Sequence, residues 1–192
     1  MKNKIKMLSW FLLLAAGSIA LAGPAWKISK TEMKILGTSN LHDWEMKVME
    51  AESQHEILLN NGQLIIKKVE LTIPVNSIES GYAIMNNKTR EALNASLFPE
   101  IRFVGGENIL TVSGNSFKGS IKGRLHIAGK TREVEIPING YVTSERNLTI
   151  TGDYQIDMTQ YDVTPPTAFF KTLKTGKDVV VSFRFELFLT EK

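Results

Sequence analysis

No cysteine occurs anywhere in the 192 residues. That absence excludes a disulfide scaffold, a thiolate metal site, a cysteine nucleophile and a thiol-linked lipid anchor. Histidine is scarce too. His42, His55 and His126 stand alone, with no second ligand two, three or four residues on, so surface or loop roles fit them better than metal binding. His42-Asp43 fits a turn in which the Asp bonds to backbone better than an oriented acid–base pair. There is no Gly-x-Ser-x-Gly elbow, no phosphate-binding loop and no dinucleotide fingerprint. A surplus of one charge sign is missing as well. Lys and Arg number 23 against 20 Asp and Glu, and the surplus equals Lys2, Lys4 and Lys6. Without those three the chain is balanced, so it has no electrostatic case for nucleic acid or an anionic surface.

Long apolar runs are confined to the start. Behind the three lysines, Met7 to Ala16 is nearly all apolar, and Ala20-Leu21-Ala22 puts small residues at both cleavage-recognition positions. This pattern predicts a secretory signal over residues 1–22 and a mature domain over residues 23–192. Met7 to Gly23 is 17 residues, interrupted by Ser9 and Ser18 and followed by Pro24. A spanning helix usually needs about 20 apolar residues. The expected mature protein is therefore periplasmic or secreted, with no stable membrane anchor.

What remains is dominated by alternation. Val179, Val181, Phe183, Phe185, Leu187 and Leu189 share one face of Asp178–Leu189, with Ser182, Arg184 and Glu186 between them. Phe117–Ile127, Arg132–Val142, Leu148–Met158 and Ile65–Val75 repeat the pattern, as half-buried antiparallel strands do. Shorter strands are expected at Trp26–Ile28, Met33–Gly37, Trp44–Val48, Ala51–Leu59, Glu100–Phe103 and Ile109–Val112. The apolar phase changes near Met49, which predicts a bulge or bend. Asn60-Asn61-Gly62, Gly105-Gly106, Ser113-Gly114-Asn115 and Ala128-Gly129-Lys130 fit hairpin turns. Ile84, Met85, Thr89, Ala92, Leu93 and Leu97 instead fall at helical spacing. They predict one short helix that docks by an apolar stripe and stops before Phe98-Pro99. Eight or more strands with one helix mean an all-β sandwich or barrel. Three Asn-x-Ser/Thr sites, at Asn87, Asn94 and Asn147, matter only in a glycosylating pathway.

Two features stand out from this pattern. Gly119, Gly123, Gly140 and Gly152 fall in phase with the inward residues of their strands. They keep a cavity open, or they mark bends and close backbone contacts; both readings stand at this point. Thr159–Lys177 has no clear period, contains Pro165-Pro166 and then Phe169-Phe170, and has the length of a lid or binding loop.

These residues resemble the YceI-like family of exported lipid- and polyisoprenoid-binding proteins. Gly37-Thr38-Ser39-Asn40-Leu41-His42-Asp43-Trp44 looks like the early signature of one branch. Met85–Phe103, with Arg90, Leu93 and Phe98-Pro99-Glu100-Ile101, is similar to the family's helix-to-strand passage. Gly123–Thr131 looks like its central hairpin and Thr164-Pro165-Pro166-Thr167 like its late loop. Ser29 departs from the Asp that many members carry there, which leaves room for a different ligand. The resemblance implies an extended lipocalin-like antiparallel β-barrel of about eight strands, holding an isoprenoid, isoprenoid quinone or fatty chain. The lining it implies draws on Trp44, Met46, Met85, Leu93 and Phe103, then Ile121, Gly123, Leu125 and Ile138. Gly152, Tyr154, Ile156, Phe183 and Phe185 continue it, and Phe169 and Phe170 cap the mouth or close the bottom of the core. No cofactor other than such a lipid is expected, no metal, no nucleic acid and no enzymatic activity. A homodimer is compatible with the pattern. The competing reading is a structural or interaction barrel filled by its own side chains.

The leader makes the first testable prediction. The intact mass of the protein from its native exported fraction should correspond to a chain beginning at Gly23. A mass that retains Met1–Ala22 would reject cleavage.

Overall fold

The computed structural model describes residues 25–168 and 172–190. The expected leader, Phe169 and Phe170 lie outside these residues. The strands are β1 (Trp26–Ser39), β2 (Trp44–Val48), β3 (Glu52–Asn60), β4 (Gln63–Pro74), β5 (Ile78–Glu79), β6 (Glu100–Gly105) and β7 (Asn108–Ser113). They continue with β8 (Ser116–Ile127), β9 (Lys130–Ser144), β10 (Asn147–Asp157), β11 (Thr167–Ala168) and β12 (Leu173–Leu189). Helix α1 (Ala83–Ala92) lies between β5 and β6, and single 3₁₀ turns occupy Val75–Ser77 and Met158–Tyr161.

Every pairing is antiparallel, and the registers group all of these strands but β11, a short partner of β12, into eight rows. β2 and β3 are two halves of one row, interrupted at Met49–Ala51, where the apolar phase changes. β5 continues β4 beyond the first 3₁₀ turn. β4 pairs with β3, and β5 pairs with β2. β6 and β7 hold one continuous register along β4, interrupted only at Gly106 and Glu107. The order then runs through β8, β9, β10 and β12 to β1, and β1 returns to β2. The sheet thus closes as a barrel, with inward residues set by the pleat.

Closure by ladder is limited to β2. Farther down, β1 and β3 are joined through His55 in place of a backbone ladder. Its Nε2 donates to the Trp26 carbonyl at 2.9 Å, and Ser53 Oγ lies 3.1 Å from Nδ1. A carbonyl only accepts, so Nε2 carries the proton and Nδ1 accepts from the serine hydroxyl. His55 is therefore a half-buried clasp in the barrel wall and not the surface or loop histidine expected of it.

The ends of the barrel differ. At the end bearing the β3–β4, β7–β8 and β9–β10 turns, Trp26, Leu64, Leu110, Phe117 and Leu148 are buried and packed together. Asn61 and Gly62 at the first of these turns both have positive φ, 48° and 73°, which suits the twist of a two-residue hairpin. At the opposite end, α1 docks above the sheet. Thr89 Oγ1 donates to the Met85 carbonyl at 3.1 Å and lies 3.2 Å from Met46 Sδ. Buried Asn86 accepts from Ser80 N and Ser80 Oγ, each at 2.8 Å, which fixes the approach to the helix. The expected apolar stripe is narrower than its spacing implied. Met85, Thr89, Ala92 and Leu93 face inward, whereas Ile84 is 67% and Leu97 70% exposed.

The aperiodic stretch is also shorter than expected, because β12 starts at Leu173. Asn40 extends the sheet there. It donates from N to the Lys174 carbonyl at 3.0 Å and from Nδ2 to the Thr172 carbonyl at 2.9 Å, and its Oδ1 accepts from Lys174 N at 2.8 Å. The turn before it is anchored by Asp157. Its Oδ1 accepts from Thr159 N at 3.0 Å and Thr159 Oγ1 at 2.6 Å, and its Oδ2 meets Lys177 Nζ at 2.5 Å.

The in-phase glycines do not open a cavity; close approach is the reading that holds. Phe117 stands opposite Gly140 and Phe183 opposite Gly152. A Cβ on Gly152 would lie 2.5 Å from both the Phe183 ring and the Pro137 carbonyl oxygen. One on Gly123 would lie 2.5 Å from the Val104 carbonyl oxygen and 2.8 Å from the Phe103 ring, and Leu110 covers Gly119 in the same way. Aromatic or leucine side chains of neighbouring rows already fill the places that side chains would take.

Two predictions follow from these contacts. Gly140→Ala puts a methyl group onto the Thr149 carbonyl and should lower stability by roughly 1–3 kcal/mol in urea titration. Gly106→Ala meets open space and should change it little. Asp157 is held down to about 2, chiefly by the Lys177 and Thr159 hydrogen bonds. Its folded value lies below the ordinary 3.8, so the unfolded chain binds the proton more tightly between the two. Its stabilising effect should be full above about pH 4 and lost as pH falls through about 2. Asp157→Asn should therefore destabilise the protein near neutrality and cost little near pH 2, as measured by urea midpoints at both pH values.

An apolar cavity in the barrel

Above the packed end the barrel is hollow. The cavity measures about 890 Å³, toward the upper end of the range in which small-molecule sites fall. Its wall is built by alternation: every row sends aliphatic or aromatic side chains inward and most of its polar residues out. Trp44, Met46, Met85, Leu93, Phe103, Ile121, Leu125 and Ile138 lie on this wall. Tyr154, Ile156, Phe183 and Phe185 do so as well. Phe183 and Phe185 pack against each other, with ring centroids 5.6 Å apart and tilted by 38°. Trp44 is fixed by donation from Nε1 to the Thr38 carbonyl at 3.0 Å and by its ring lying against Gly37.

Gly123 and Gly152 do not reach the cavity, because the aromatic rings above them intervene. Phe169 and Phe170 lie outside the described residues. Other wall residues were open to the same alternation argument: Met33 and Ile35 on β1, Ile73 on β4, Ile136 on β9, and Val179 and Val181 on β12. Tyr161 and Val163 were not, since they come from the stretch without a period. The second 3₁₀ turn delivers them inward, and both are about 3% exposed.

Polar groups gather where the cavity meets solvent. His42, Asp43, Glu45, Tyr82, Ile84 and Lys88 line it there; Tyr82 and Ile84 are exposed, as is neighbouring Leu41. The opening thus lies between the β1–β2 turn and the start of α1. Inside, the polar groups are few: Thr89 beneath the helix, Ser53 and His55 at the wall clasp, and the phenols of Tyr154 and Tyr161. Burial raises both phenols, Tyr161 to about 12, so each stays a neutral O–H group across the physiological range. Among the described residues, no group of three or more His, Asp or Glu side chains could hold a metal ion. Such a lining binds through area and shape, with few directional contacts.

Solved structures share the fold, three of them as follows. Burkholderia cenocepacia BcnA matches with a TM-score of 0.64 at 16% identity, covering 81% of this chain and 95% of that one. A polyisoprenoid-binding domain from Saccharophagus degradans matches with a TM-score of 0.65 at 12% identity, covering 87% and 99%. A Campylobacter jejuni YceI protein matches with a TM-score of 0.57 at 13% identity, covering 97% and 100%. No curated protein matches by sequence. The YceI-like domain profile, in contrast, matches residues 26–187, nearly the whole of the barrel. On that match the chain belongs to the YceI-like family.

Proposed function

We propose that this protein is a non-enzymatic carrier that holds one long apolar chain, an isoprenoid, isoprenoid quinone or fatty lipid, inside its barrel. The observation that carries this reading is the cavity itself: about 890 Å³, walled by aliphatic and aromatic side chains, with its charged groups confined to the rim. A water-insoluble chain gains most from a lining of that kind, because every methylene it buries leaves water, at about 0.8 kcal/mol each. The Saccharophagus degradans relative is described as a polyisoprenoid-binding domain, which supports the same class of ligand here. Carriage outside the cytoplasm agrees with the leader. The alternative of a self-filled barrel accounts for the end holding Leu64, Phe117 and Leu148 and fails to account for the hollow end.

The test is an organic extract of the purified protein, analysed by mass spectrometry beside the same extract of Ala92→Trp. Ala92 faces the cavity from α1, so an indole there occupies ligand volume. The expected result is near-stoichiometric lipid from the native protein, strongly reduced in the variant, with the fold retained by circular dichroism. Lipid-free native protein that also takes up no added fatty or isoprenoid chain would reject the proposal.

A further inference from the structure

The wall of the cavity is apolar but for a few groups, and two of these have no partner. Tyr154 reaches the interior from β10, on the inward face it shares with Ile150 and Ile156. Tyr161 arrives from the other direction, as the last residue of the 3₁₀ turn that Asp157 caps. Asp162 follows with φ 59°, its N–H donating to the Thr159 carbonyl, and this left-handed step turns the chain so that Tyr161 is 3% exposed. Neither phenol hydroxyl makes a hydrogen bond among the described residues. Yet no side-chain nitrogen or oxygen there is sealed from solvent without a partner. The two hydroxyls therefore stay accessible, on side chains that line the cavity. Phenylalanine would pack as well at either position and would avoid the desolvation of an unmade hydrogen bond.

We infer that Tyr154 and Tyr161 form the polar end of the lipid site and donate hydrogen bonds to a carbonyl oxygen on an uncharged ligand head. The inference rests on the reading of the cavity as a lipid site. Its chemistry follows from the surroundings. The positive charge of Arg132, whose Nη1 donates to the Gln160 carbonyl at 3.3 Å, acts on both phenols. That charge is a minor influence beside burial, and its sign leans toward an acceptor with partial negative charge. The burial that holds Tyr161 neutral opposes a fully ionised one. A neutral carbonyl satisfies both conditions, with its chain running along the aliphatic wall.

The experiment compares two probes of equal length, methyl pentadecyl ketone and heptadecane, by displacement of the fluorescent probe N-phenylnaphthylamine. The proteins are wild type, Tyr154→Phe, Tyr161→Phe and the double variant. The double variant should bind the ketone roughly tenfold more weakly and leave heptadecane within about twofold of wild type. The infrared carbonyl stretch of the bound ketone should be lowered in wild type, relative to the ketone in alkane, and return toward the alkane value in the double variant. A ketone-to-alkane preference that is equal in wild type and double variant overturns this subsite and leaves the lipid-binding reading standing. Uptake of neither probe by wild type overturns both. Should the variants fail to fold, the wild-type spectrum decides alone: a bound carbonyl at its alkane frequency rejects the inference.

Discussion

Everything in this molecule depends on closing the sheet, and closure rests on five residues. β2, Trp44–Val48, pairs with β1 on one side and with β5 on the other. Below it β1 and β3 are held through a side chain, His55, in place of a backbone ladder. Without β2 the inward faces of the rows would meet water, and alternation would have nothing to enclose. Trp44 and Met46 are accordingly bound on several sides, by the Thr38 carbonyl, by Gly37 and by Thr89 of the helix. The same strand that closes the wall also fixes where α1 sits and where the cavity opens.

Period-2 alternation made the strands legible, because in a closed sheet the pleat alone decides inside from outside. It also made most of the cavity wall legible: Ile121, Leu125, Ile156 and Phe183 follow from phase. Phase says nothing of the third dimension. Gly123 and Gly152 share the inward phase, but Phe103 and Phe183 lie over them, and only the neighbouring row reveals this. Ile84 and Leu97 share the helical stripe, but the helix is too short and too near the rim for both ends of the stripe to be covered. Tyr161 was hidden for a different reason. Its direction is set by a cap at Asp157 and a left-handed residue at Asp162, which are local geometries with no periodic trace.

Division of the interior into a packed end and a hollow end reconciles two demands. On the proposed reading the protein has to fold before it meets its cargo, and that requires a close-packed region whose stability does not depend on the ligand. Leu64, Leu110, Phe117 and Leu148 provide it, together with glycines that let aromatic rings settle against the backbone. The hollow end can then be shaped for the ligand, with the clasp and the two phenols as its main polar features.

The size of that hollow argues against a dry void. Cavities left by core truncation cost about 24 cal/mol per Å³. This hollow measures about 890 Å³ and opens to solvent at its rim, so it is not a sealed void of that kind. Solvent or a ligand therefore fills the space. Water can enter at the rim, but against aliphatic walls it finds few partners beyond the phenols and the Ser53–His55 pair. A long apolar chain restores the dispersion contacts that the wall lacks and leaves bulk water intact. Occupancy then stabilises the folded state by mass action, because the unfolded chain has no such site. On the proposed reading stability and cargo are one equilibrium: Met33, Met46, Ile73 and Ile78 give this end a small core of its own, and the ligand would fill the hollow beside it.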